Sequence, residues 1–184
     1  MSERRVWRGR LAVALPMALA GFLLGQMAAA GPKAAPTPKE PLVVAAARTV
    51  GVKRCLPMIT AIAQRGTAGA TLQDIIIDWD RKVPDSAPFF SLTGLGNGTL
   101  RAALTIAAIP SPAGCAVLVE RVSYAPRTCS AVAAAELGGF PSGQLIDGIM
   151  VYQNPRQAGE TYSLISSNGG CIILRRQASL NWTG

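Results

Sequence analysis

The densest group of side chains able to do chemistry is Asp74, Asp78 and Asp80. Paired carboxylates serve as acid and base in glycoside hydrolysis, or as hard oxygen ligands for calcium. Spacing limits both uses. On a helix Asp74 and Asp78 share a face and Asp80 points elsewhere; on a strand all three share a face, too close together to straddle a scissile bond without a partner from another element. Glu120, Glu136 and Glu160 are the distant carboxylates such a hydrolase would need. A calcium loop of the EF-hand type requires a Gly and a distal Glu at fixed offsets, and neither follows. Solvated charge balanced by Arg81 and Lys82 is the plainer account of the trio.

Other chemistries are excluded by what the sequence lacks. It contains no histidine, which removes Ser/His/Asp triads, Cys/His pairs, histidine general bases and histidine metal ligands within the chain. Ser142 sits in Gly139-Phe140-Pro141-Ser142-Gly143, which is not a GxSxG elbow, and no SxxK occurs to support a Ser/Lys nucleophile. Beyond Pro41 the only lysines are Lys53 and Lys82, neither in the apolar surround that would lower an amine for Schiff-base work. Gly94-Leu95-Gly96-Asn97-Gly98 could cradle a phosphate if it joined a strand to a helix. Thr99 stands where a dinucleotide fingerprint wants its third Gly, and no GKS or GKT follows, so a hairpin turn is expected there. No catalytic residue, cofactor-binding residue, cofactor or metal ligand is assigned.

The cysteines carry a structural message. Cys55, Cys115, Cys129 and Cys171 are even in number and form no CxxC pair, so they read as two disulfides rather than a zinc or redox site. Three pairings are open. Cys115 with Cys129 closes the shortest loop, worth about 3 kcal/mol by chain entropy, and would leave Cys55 with Cys171.

Export explains that usage. Arg4, Arg5, Arg8 and Arg10 lead into the apolar run Leu11–Gly25, and Ala28-Ala29-Ala30 supplies small residues before Gly31. This is a signal peptide over residues 1–30, with an uncleaved anchor over residues 11–30 as the alternative. Residues 31–41, Gly31 to Pro41, form a proline-rich extended linker. Residues 42–184 are then one domain, expected in the periplasm or secreted, or held at the inner membrane if the signal is retained. Of 18 basic and 10 acidic residues in the whole chain, four basic residues and Glu3 leave with the signal, and the remainder carries +5. The basic doublets Lys53-Arg54, Arg81-Lys82 and Arg175-Arg176 are scattered and lack interleaved aromatic rings. Nucleic acid is therefore not an expected partner.

The elements that must hold these residues follow from periodicity. Leu42–Val52 mixes helix formers with valines, and its type is open. Pro57–Arg65 reads as a helix, with Pro57 in the first turn and Ile59, Ile62 and Ala63 on one face. Thr71 and Asp74 resemble a capping box, and Leu72, Ile75, Ile76 and Trp79 a helical stripe, which predicts a helix over Leu72–Arg81. The competing strand has three successive isoleucines in its favour. Phe89–Leu92, Leu100–Ile109 and Ala116–Tyr124 read as a meander, Ser130–Leu137 as a short helix, and Ile146–Tyr152, Tyr162–Ile165 and Cys171–Arg175 as further strands.

The expected fold is therefore α+β: an antiparallel sheet with two or three short helices on one face, in a single domain stabilised by disulfides. The expected function is that of a small exported binding or accessory protein, whether inhibitor, immunity-like protein or interaction module, of a bacterial envelope. Its partner is an unspecified protein or envelope component, and the membrane enters only through an uncleaved N-terminal segment. An envelope-glycan hydrolase and a carrier of a small apolar ligand are the alternatives. An apolar cavity between helices and sheet would mark the carrier.

Overall fold

The computed structural model describes residues 40–98 and 100–182. The signal, the anchor alternative and the linker through residue 39 lie outside the described residues. Among the described residues eight strands form one antiparallel sheet, and three short helices pack on it. In chain order these are α1 (Leu42–Thr49), α2 (Leu56–Gly66), β1 (Leu72–Trp79), β2 (Phe89–Asn97), β3 (Leu100–Ser111), β4 (Gly114–Ala125), α3 (Cys129–Glu136), β5 (Ser142–Ile146), β6 (Ile149–Gln153), β7 (Glu160–Ser167) and β8 (Gly170–Trp182). The spatial order is β1-β2-β3-β4-β8-β7-β6-β5. The first four strands are a meander; after α3 the chain runs to the far edge and returns strand by strand until β8 pairs with β4.

Alternation decides which side chains meet the helices. Ile75, Ile77 and Trp79 of β1, Phe89 and Leu95 of β2, Leu104, Ile106 and Ala108 of β3, and Val117 and Val119 of β4 join one core with Val43, Val44 and Ala47 of α1 and Met58, Ile59, Ile62 and Ala63 of α2. A second, smaller core gathers Val132 and Leu137 around Leu164, Cys171 and Ile173. Thr128 caps α3, its hydroxyl accepting from the Ala131 N–H at 3.3 Å. Gly66 ends α2 where a Cβ would lie 2.8 Å from Leu104 Cδ2, so its lack of a side chain lets the helix settle on β3.

An α+β composition is present, but the molecule is mostly sheet. The three helices are not one layer over a face. They form two separate patches, α1 with α2 against β1 to β4 and α3 against β7 and β8, with a strip of β4 and β8 between them.

Two expectations are corrected. Residues Leu72–Trp79 are a strand and not a helix. Ile75, Ile77 and Trp79 face the core while Leu72, Asp74, Ile76 and Asp78 are exposed, so one face is paired with solvent and the β-branched run fits the pleat. The disulfides are Cys55–Cys115 and Cys129–Cys171, not Cys115–Cys129 and Cys55–Cys171. Cys115 begins β4 and Cys129 follows its end. At about 3.3 Å per residue that strand holds the two more than roughly 30 Å apart, so the shortest loop in sequence cannot close in space.

Candidate functional site

The trio of acids falls on β1 and just beyond it. Asp74 and Asp78 lie on the solvent side of the strand, and Asp80 follows its end. The Asp74 carboxylate accepts from the Ile75 N–H at 2.8 Å, and the Asp80 carboxylate accepts from the Lys82 N–H at 2.7 Å. The distant glutamates do not join them. Glu120 pairs with Arg176 at 3.5 Å, Glu136 with Arg127, and Glu160 with Arg175. Glu160 is fully buried, and it also accepts from Asn154 Nδ2 at 2.6 Å and from the Tyr162 hydroxyl at 3.3 Å. Burial pushes the Tyr162 phenol above its usual range. Each of these glutamates is thus tied to an arginine, and no group of three metal-ligating residues occurs among the described residues.

What the structure does assemble is an uncovered sheet surface. The residues of β1 to β4 that point away from the helices include Leu72, Ile76, Phe90, Leu92, Val122 and Tyr124, all exposed, with Ile76 65% and Leu92 45% accessible. Register sets Ile76 opposite Leu92 and Asp78 opposite Phe90, so an apolar patch abuts the acids of β1. Beside it a trough of about 570 Å³ runs over Gly94, Gly96 and Ala103, between Leu72 on one side and Val122 and Tyr124 on the other.

Sequence reasoning missed this trough because it assigned Gly94 to Gly98 to a turn. Gly94 through Asn97 are strand, paired with Leu100 through Ala103, and only Gly98 takes the left-handed conformation of the turn, with φ 55°. The alternation of Gly94 and Gly96 was the available signal. Glycines two apart on a strand clear the same face of side chains.

On the helix side, the strip between the two patches is basic. Arg121 of β4 lies directly opposite Arg175 of β8, and α2 brings Arg65 and Gly66 to the same place. The space between α2 and the sheet, bordered by Ile62, Leu104 and Val119, is only about 30 Å³, far below the several hundred of a ligand pocket. An apolar carrier cavity of the expected kind is not in that position. A larger trough of about 460 Å³ continues from Arg121 between the Ala68 to Ala70 loop and Glu136 of α3.

No family model, curated protein or solved structure matches the chain. Two disulfides fit an oxidising compartment, as in the periplasm or outside the cell. No helix among the described residues is long and apolar enough to cross a membrane.

Proposed function

We propose that this is an exported, disulfide-stabilised binding module of a bacterial envelope, working as an inhibitor, immunity-like or interaction protein rather than as an enzyme. The observation that carries the reading is the uncovered sheet face, where Leu72, Ile76, Phe90 and Leu92 stay exposed in one patch. A contiguous apolar surface rimmed by polar groups is the ordinary anatomy of a protein contact. Asp74 and Asp78 provide that rim on the β1 side, so the partner is an envelope protein presenting an apolar centre flanked by basic residues. The paired state of Glu120, Glu136 and Glu160 weighs against the hydrolase, which needs a second free carboxylate facing the first.

The test is capture from native envelope followed by reconstitution with the purified partner. Ile76→Asp or Leu92→Asp should weaken the reconstituted complex at least about tenfold, in the manner of an anchor lost from an interface, whereas Arg54→Gln on the far side should not. Affinity should also fall with salt, because Asp74 and Asp78 contribute through exposed charge. A complex indifferent to both sheet-face variants overturns the proposal. So does turnover of peptidoglycan fragments that stops in Asp80→Asn, which would install the hydrolase instead.

A further inference from the structure

A second surface carries an inference independent of that protein contact. Across β4 and β8, Glu120 lies opposite Arg176 on the open face and the two pair at 3.5 Å. On the helix side the next residues along, Arg121 and Arg175, are also directly opposite, and both are cationic. Like charges facing each other across a strand pair cost stability. Arg175 is compensated by the buried Glu160 and by the Tyr162 ring, over which its guanidinium lies at 5.7 Å. Arg121 is half-buried and has no acidic partner or side-chain hydrogen bond among the described residues.

Arg121 also borders the trough of about 460 Å³ between the two helical patches. Leu95, Ala102 and Ile173 give this trough apolar surface, and Ser123 gives it a hydroxyl. Arg101 borders this trough only at the end of β3; alternating with Leu104 and Ile106, its side chain lies on the open face, where Nη1 donates to the Gly98 and Leu100 carbonyls. Arg127, also in the lining, is neutralised by Glu136. The cationic charge of Arg121 therefore meets apolar surface in a concavity of ligand size. Guanidinium forks match the oxygens of carboxylate and phosphate.

We propose that this trough binds a small organic anion, a carboxylate or phosphate monoester on an apolar body, with Arg121 as the anion-binding residue. Bound anion would relieve the repulsion between Arg121 and Arg175, so binding should raise thermal stability as well as occupy the trough.

Calorimetric titration of the full exported protein with phenyl phosphate, 3-phenylpropionate and inorganic phosphate tests this. Saturable binding is expected for phenyl phosphate or 3-phenylpropionate, tighter than for inorganic phosphate, and which of the two binds better identifies the acid group. Arg121→Gln should lower that affinity about tenfold or more, the effect of losing a charge-assisted hydrogen bond. It should leave the unliganded melting temperature unchanged or higher. Arg101→Gln and Arg176→Gln, both on the opposite face, should not lower affinity. Absence of saturable binding by both aromatic anions overturns the proposal, as does affinity unaltered in Arg121→Gln. Arg121-dependent sedimentation with phosphatidylglycerol vesicles, without binding of the soluble probes, would overturn the small-molecule assignment. None of these results touches the open sheet face, whose variants should bind the anion normally.

Discussion

At the scale of single residues, the polar groups with the plainest consequences are not the ones that resemble a catalytic set. The Asp85 carboxylate accepts from the Lys53 and Arg54 N–H groups at 2.7 and 2.6 Å, fastening the turn that leads into α2. Those two backbone hydrogen bonds hold its pKa below the ordinary 3.8. A carboxylate with a lowered folded pKa contributes stability above its unfolded pKa and loses that contribution as pH falls through the folded value. Asp85→Asn should therefore lower the melting temperature by a few degrees at neutral pH. The gap from the parent protein should hold down to about pH 4 and close below it, as thermal melts across an acid series would read. Thr93 makes the opposite case. Its hydroxyl is fully buried in β2 without a hydrogen-bond partner among the described residues. Replacing it by the isosteric valine removes an unpaired polar group, and Thr93→Val should stabilise by about 1 kcal/mol in denaturant titration.

At the scale of elements, the disulfides and one close approach determine how helices and strands are fixed. Cys55 ties the start of α2 to the start of β4, and Cys129 ties the start of α3 to β8, across separations of 60 and 42 residues. Loops of that length correspond to about 4 kcal/mol each in the chain-entropy treatment. Cys55→Ala with Cys115→Ala, or Cys129→Ala with Cys171→Ala, should each lower unfolding free energy by up to that amount. A non-reducing digest should link the peptides in the same pairs. At Gly170 the start of β8 passes so close to β4 that a Cβ would meet the Tyr124 hydroxyl and lie 2.5 Å from the Ala125 carbonyl oxygen. Gly170→Ala should cost roughly 1 to 3 kcal/mol by overpacking, measurable in the same denaturant titration. Several of these elements are legible from local pattern: α2 in its Pro57 start and apolar stripe, and β3 and β4 in their alternation. The β5–β6 hairpin was legible too, in Asp147-Gly148 between Ile146 and Ile149, but an apolar run read as one strand concealed the turn. At β1 the local signals conflicted. The apparent capping residues favoured helix, and packing of Ile75, Ile77 and Trp79 against the core decided for strand.

At the scale of the whole molecule, compartment and surface are the questions. If residues 1–30 are removed on export, the intact mass of protein recovered from its native cell begins at Gly31. Alkylation should then add mass at four cysteines only after reduction. Composition and short-range order sufficed for the even cysteines and a mixed fold rich in antiparallel strands, since each depends on residue types or on neighbours along the chain. Tertiary structure decided the rest. Disulfide pairing follows distance in space, and a twelve-residue strand carries near neighbours in sequence to opposite ends of the sheet. The open apolar face and the glycine trough depend on the register of β1, β2 and β3, and the facing pair Arg121 and Arg175 arises only when β8 returns to pair with β4.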